Sequence, residues 1–164
     1  MISPFRVAKG LAAVAAGCFA WGLVEATRFR VRHVTVPVLP PGGSELRILH
    51  LSDIHLLPGQ QLKLNFLRSL AELEPDLVIN TGDNLGAVNS VPHLLQALDP
   101  LLHRPGLFVF GTNDYYAPRP VNPFGYLLGK KRKVSRITLP WEGMRAAFIE
   151  RGWRDANQAR HEFK

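Results

Sequence analysis

Three short polar clusters in this 164-residue chain hold side chains that bind cations and phosphates. They are Ser52-Asp53-Ile54-His55, Gly82-Asp83-Asn84 and Gly111-Thr112-Asn113-Asp114. Asp53 and His55 stand two positions apart, so both side chains can turn toward one ion where the chain leaves a strand. A carboxylate with an imidazole suits Mn, Fe or Zn better than Ca. Asp83 has two carboxylate oxygens and can serve two ions. Asn84 and Asn113 are neutral and offer oxygen to a metal or nitrogen to a phosphate. Gly82 and Gly111 permit tight turns and close backbone approach. Taken singly, each cluster also reads as an ordinary solvated turn. Their joint placement argues otherwise, because each directly follows a buried-type apolar run and the clusters recur about 30 residues apart.

The elements that must position them follow from periodicity. Arg47–Leu51, Leu77–Thr81 and Gly106–Phe110 are short, apolar, β-prone runs and are predicted strands. Between the first two, Leu62, Phe66, Leu70 and Leu73 recur at helical spacing within 61–73. Between the second and third, Val91, Leu94, Leu95 and Leu98 mark another helix, with Ser90 as its cap and Pro92 tolerated in its first turn. Alternating strands and helices predict an α/β domain with parallel strands. In open sheets of that kind, sites form beyond the carboxyl ends of the strands. A polar and aromatic stretch runs from Gly111 to about Leu139. A last helix is predicted beyond it, with Pro140 in its first turn, Glu142 near its N-terminus, Trp141, Met144 and Phe148 on one face, and Gly152 as its cap.

Composition bounds the rest. A single cysteine, Cys18, excludes a disulfide framework and a Cys-rich zinc site. The net charge of +7 is carried by the ends: residues 1–33 and 129–164 are basic, while 34–128 is mildly acidic, as suits a domain that binds cations. Gly10–Val24 is uncharged, with basic residues on both sides. It reads as a membrane anchor or uncleaved signal-anchor, a cleaved secretory signal, or a helix lying on a surface or packed on the domain. The basic flanks barely orient it. Cys18 after Ala15-Ala16-Gly17 distantly resembles a lipoprotein cleavage box, although a buried small residue is the simpler reading. The chain thus divides into an N-terminal segment, 1–33, and a globular portion, 34–164. The run Lys130-Lys131-Arg132-Lys133, with Arg136, reads as a solvated loop, a contact for an anionic membrane surface or a nucleic-acid contact.

Leu51-Ser52-Asp53-Ile54-His55, Thr81-Gly82-Asp83-Asn84 and Gly111-Thr112-Asn113-Asp114 together resemble the first three motifs of the calcineurin-like metallophosphoesterases, over roughly residues 45–116. The nearer resemblance is to the bacterial membrane-associated branch, in which a short apolar N-terminus precedes the domain. It implies a layered α/β fold, a metallophosphoesterase β-sandwich with flanking helices, and two divalent ions (Mn, Fe or Zn). Asp53 and His55 would bind the first ion, Asp83 would bridge both, Asn113 would bind the second, and Asn84 would support the site or contact substrate. The ions would clamp a phosphate ester and lower the pKa of a bridging water, whose hydroxide attacks phosphorus. The substrate would be a phosphate ester, with a lipid-linked one among the options, at a bacterial inner membrane.

The chain departs from the family pattern twice. The usual third motif is Gly-Asn-His followed by an acid. With Thr112 as an insertion, Asn113 keeps the metal role and Asp114 replaces the His; without one, Thr112 and Asn113 take the two places. The first is preferred because Thr is a poor ligand, leaving Asp114 or Tyr115 as leaving-group acid. Second, the family's later Gly-His-x-His motif has no counterpart, and His161 is the one histidine after Asp114. His93 and His103 read as surface residues and His50 as a packed core histidine. The expectation is therefore a domain cut short, with its second sheet largely missing. A partial membrane-bound domain without activity, or a nuclease of the same superfamily, are the rival functions; nucleic acid is the less favoured partner.

Overall fold

The computed structural model describes residues 4–119, 129 and 136–163. The basic run Lys130–Lys133 lies outside them. The chain forms two compact units, Met1–Val38 and Leu39–Lys164.

The first unit is dominated by α1, Pro4–Glu25. At about 1.5 Å per residue such a helix is roughly 33 Å long, close to the thickness of a bilayer's hydrocarbon layer. It is long and apolar enough to cross a membrane, and none of that stretch is buried. It begins six residues before the uncharged run, drawing in Arg6 and Lys9, and the Lys9 ammonium lies 4.5 Å from the Phe5 ring centroid. Cys18 is exposed, not buried as the simpler sequence reading had it.

The second unit holds one sheet among the described residues. Its strands are β1 (Ile48–Leu51), β2 (Leu77–Asn80), β3 (Gly106–Phe108) and β4 (Arg154–Asp155), all parallel in the order β1-β2-β3-β4. The helices are α2 (Gln61–Ser69, continued by a 3-10 turn to Leu73), α3 (Val91–Leu102), a single turn α4 (Thr112–Tyr115) and α5 (Trp141–Glu150). Right-handed crossovers that always step to the next strand lay their helices on one face. α3 accordingly packs against both α2 and α5. The expected α/β layering with parallel strands is what forms.

Strand parity separates the two faces. Leu51, Val78 and Phe108 point into the helices and are buried with Leu64, Leu67, Leu94, Leu98, Leu101, Met144, Phe148 and Trp153. Each such large apolar side chain contributes about 1.5–3 kcal/mol relative to exposure. The opposite face carries Ile48, which is exposed, with Ile79 and Leu107 half-buried. His50 lies on that second face, exposed, with Nε2 2.8 Å from Thr81 Oγ1, and is not the packed core histidine expected. A hydrogen-bonding partner one strand away lets it stay at the surface.

Local details differ from expectation for identifiable reasons. The buried face of α2 is Leu64 and Leu67, continued by Leu70, whereas Leu62 is exposed. Ser90 does sit at the start of α3, but its side chain does not cap the helix. Its hydroxyl donates to Leu56 O and accepts from Ala87 N, which ties the helix start to the loop after β1. Pro140 stands one place before the first helical residue of α5. β4 was not foreseen. It is two residues long and held by side chains: Asp155 accepts from Arg145 Nε and from the N and Nδ2 of Asn157, and Asn157 Oδ1 accepts from Phe110 N at 3.0 Å. The last bond fixes the chain just as it leaves β3.

Burial alone would raise the Asp155 carboxyl, but hydrogen bonds from Asn157 and Arg145 outweigh it and hold the group below the usual carboxylate range. A depressed folded-state pKa gives stability that is fully present above the unfolded value near about 3.9 and is lost as pH falls through the folded value. Asp155→Asn is therefore expected to cost about 1–2 kcal/mol at pH 7, and the gap from wild type should close under acid. Melting curves of both proteins at pH 7 and below pH 4 check this.

Candidate metal centre

Three of the predicted ligands converge. One donor atom each from Asp53, His55 and Asp83 lies within 4.8 Å of the others. His55 Nε2 is 3.7 Å from Asp53 Oδ1 and 3.8 Å from Asp83 Oδ2. Donors held about 2.0–2.2 Å from one ion stand roughly 3–4 Å apart, so the spacing fits a shared cation. Two carboxylates and an imidazole also match the chemistry of a Mn, Fe or Zn site. The Asp53 and His55 side chains are 67% and 40% exposed, whereas Asp83 is 22% exposed, so the cluster opens to solvent on the Asp53–His55 side.

The backbone is strained at these three residues. Asp53, His55 and Asp83 have φ of 52°, 42° and 54°, in the left-handed region that non-glycine residues avoid. Such conformations cost of the order of 1–3 kcal/mol each and persist only when the surroundings over-determine them. Hydrogen bonding supplies that determination. The loop after β1 pairs with the loop after β2 through Asp53 N to Gly82 O, His55 N to Asp83 O, and Leu56 N to Asn84 O, at 3.0, 2.9 and 2.8 Å. Gly86 N returns to Leu56 O at 2.9 Å. Lys63, on α2, donates its ammonium to Ile54 O at 2.7 Å, between the two ligands of the first loop. Partial burial pulls the Lys63 pKa down.

The loops after β2 and β3 meet more closely still. A Cβ on Gly82, which has φ +93°, would lie 2.3 Å from Gly111 N, and a Cβ on Gly111 would lie 2.1 Å from Asp83 Oδ1. Only glycine fits at either position. Across this contact Asp83 Oδ1 and Oδ2 accept from Asn113 N and Nδ2, each at 2.8 Å. Asn113 thus reaches the cluster by holding the Asp83 carboxylate.

Asp114 and Asn84 both lie in the interior of the site. Both are fully buried. Asp114 Oδ2 accepts from Asp83 N at 2.7 Å and Gly111 N at 2.9 Å, and Oδ1 accepts from Asn84 N at 2.7 Å. A carboxylate with no solvent access and three backbone donors is not poised to give a proton to a leaving group. Burial pushes its pKa up, against the backbone donors, which favour the ionised form. Asn84 exchanges amide hydrogen bonds with Asn80, Nδ2 to Oδ1 in both directions at 2.8 and 3.1 Å, so it supports the loop from inside and does not face substrate. Tyr115, the other expected acid, is half-buried and packs edge-on to Phe110 and Trp141.

Sequence reasoning passed over Asn80 and Lys63. Asn80 is fully buried, and its Oδ1 also accepts from Gly82 N at 2.9 Å. The signal was present: a polar residue closing an apolar strand with inward parity has to satisfy itself locally. Lys63 carried no signal beyond its place on α2.

Together, the parallel sheet and the ligand trio at its carboxyl edge define a metal-binding α/β domain. The calcineurin-like phosphoesterase family profile matches residues 46–152, well over half of the chain, and the chain belongs to that family. It is 39% identical over 104 residues to a bovine (Bos taurus) transmembrane protein with a metallophosphoesterase domain, covering 60% of this chain and 23% of that protein. The zebrafish (Danio rerio) protein of the same name is 37% identical over 105 residues, covering 58% and 24%. An uncharacterized metallophosphoesterase of Aquifex aeolicus is 31% identical over 102 residues, covering 59% and 39%. The matched stretch therefore spans about a quarter of the length of the first two relatives. No solved structure matches the chain significantly.

The close approach of the two loops yields a prediction. Gly111→Ala must displace the Asp83 carboxylate and is expected to cost about 1–3 kcal/mol together with weakened Mn²⁺ binding. Denaturant midpoints and calorimetric Mn²⁺ titration of the variant measure both.

Proposed function

We propose that this chain contributes the first ligand set of a metal-dependent phosphate-ester hydrolase that works at a membrane. The observation that carries this reading is the convergence of Asp53, His55 and Asp83 from two separate strand ends, at distances that fit a shared cation. Family membership and the ligand chemistry support hydrolysis of a phosphate ester. A divalent ion held there supplies a Lewis acid that polarises a phosphoryl oxygen and acidifies a water.

The chain's own residues do the rest. Asp53 and His55 present their donors on the solvent side, where a phosphate ester arrives. Asp83 stands behind them, its carboxylate fixed by Asn113. The resemblance implies a second ion; Asn113, whose amide here holds Asp83, would be its ligand only with the side-chain oxygen turned toward that ion. The leaving oxygen takes its proton from solvent on the open side, because Asp114 is sealed in the interior.

Membrane association rests on α1, which is long and apolar enough to span, and on the bovine and zebrafish relatives, which are named transmembrane proteins. A substrate phosphate carried on a lipid fits that setting. A second reading, a cation-binding membrane domain that does not turn over substrate, is favoured by one observation: the acid expected at Asp114 is buried.

The test uses the full chain in detergent, stripped with a chelator and reloaded with Mn²⁺. Hydrolysis of a bis-aryl phosphate is expected to need the added metal and to fall to background in Asp83→Ala and His55→Ala. Activity that survives in Asp83→Ala overturns the hydrolase reading. Mn²⁺ binding without hydrolysis selects the second reading, and elemental analysis of the loaded protein counts the ions.

A further inference from the structure

Asp114 is the most completely buried charged side chain near the site, and the proposed reaction does not use it. Its two oxygens take three backbone N–H groups: those of Asp83 and Asn84 on the loop after β2, and that of Gly111 on its own loop. Asp83 answers in the reverse direction, accepting the backbone and side-chain N–H groups of Asn113. Each loop thus lends a carboxylate to the backbone of the other. The Gly82–Gly111 contact leaves no room for a Cβ between them. Asp83 itself sits at φ 54°, a conformation that needs support from outside.

We propose that Asp114 is a positioning residue that fixes the backbone of Asp83, and with it the direction in which the Asp83 carboxylate faces the cation. Charge-assisted hydrogen bonds from backbone N–H to carboxylate are stronger than neutral ones. They are directed at the two peptide N–H groups that flank the strained Asp83 Cα on the side of Asn84 and Gly82. Two acceptor oxygens are needed for three donors. An amide offers one oxygen, and turns its NH₂ group toward at least one N–H. Asp114→Asn is therefore nearly the same size but cannot satisfy the three donors, and the Asp83 loop is released. The proposal rests on the reading of Asp53, His55 and Asp83 as a cation site.

The test compares Mn²⁺ binding to wild type, Asp114→Asn and Asp114→Glu, full-length in detergent, by calorimetry and by the EPR spectrum of the bound ion. Loss of support behind a ligand typically weakens metal binding 10–100-fold, and a loss of that order is expected in Asp114→Asn. The EPR line shape of the remaining bound Mn²⁺ should broaden, while the circular dichroism and helix content hold. Asp114→Glu keeps both acceptor oxygens and should recover part of the affinity. Wild-type affinity and spectrum in a folded Asp114→Asn protein overturn the proposal. Wild type that binds no Mn²⁺ overturns the cation-site reading, and this inference with it. Should Asp114→Asn not fold, hydrogen exchange on wild type decides: the Asp83 and Asn84 amides should be as protected as those of β2, and exchange at the rate of open loops overturns the proposal.

Discussion

The site depends on one contact, the approach of the Gly82–Asn84 loop to the Gly111–Asp114 loop. A Cβ on Gly82 would run into the backbone of Gly111, and one on Gly111 into the Asp83 carboxylate. Hydrogen bonds cross the gap in both directions, from backbone N–H to Asp114 and from Asn113 to Asp83. Remove the closeness and Asp83 loses its Asn113 donors, while Asp114 keeps only Gly111 N of its three. Asp83 would then keep its positive φ only through the backbone bonds to the loop after β1. The strain at Asp53, His55 and Asp83 is therefore a consequence of how the three loops are joined, and it is sustained by interactions that lie mostly beneath the ligands.

The sheet explains why such a contact exists. β1, β2 and β3 run parallel and adjacent, so their carboxyl ends come out side by side at about the 4.8 Å spacing of neighbouring strands. The β1–β2 ladder continues past the strand ends as backbone bonds between the first two loops. β3 breaks off after Phe108, and there Asn157 catches Phe110 N and directs the chain into Gly111. Behind the sheet, α2 and α3 pack together, and Lys63 and Ser90 reach from them to the loop after β1. Fold and site thus share the same short stretches of chain.

Much of this was legible beforehand, and for physical reasons. Leu77–Ile79 is a continuous apolar run, and of the helical stripe Val91, Leu94, Leu95 and Leu98 the structure buries Leu94 and Leu98 fully and the other two in part. The convergence of Asp53, His55 and Asp83 was legible because the clusters that hold them each follow such a run at once. What periodicity could not show is where a side chain turns after the strand ends. Asp114 and Asn84 have the composition of site residues, yet the backbone N–H groups of Asp83, Asn84 and Gly111 hold Asp114 inside and the Asn80 amide holds Asn84. Ser90 has the composition of a helix cap, and Leu56 O takes its hydroxyl instead. β4 escaped notice because two residues carry no period, and Asn157 acts through a bond 47 positions away in sequence. His50 stands between half-buried Leu49 and buried Leu51 and lies on the sheet face opposite them, exposed among the described residues.

In the proposed site, loops from separate strands bring Asp53, His55 and Asp83 around one cation. A crystal of the chain grown with Mn²⁺ and measured for anomalous scattering tests it most directly. The account predicts a peak about 2.0–2.3 Å from a donor atom of each of the three side chains, with Asp114 still buried behind Asp83. Protein with Mn²⁺ present but no peak between those side chains, or with the three side chains turned apart, would contradict it.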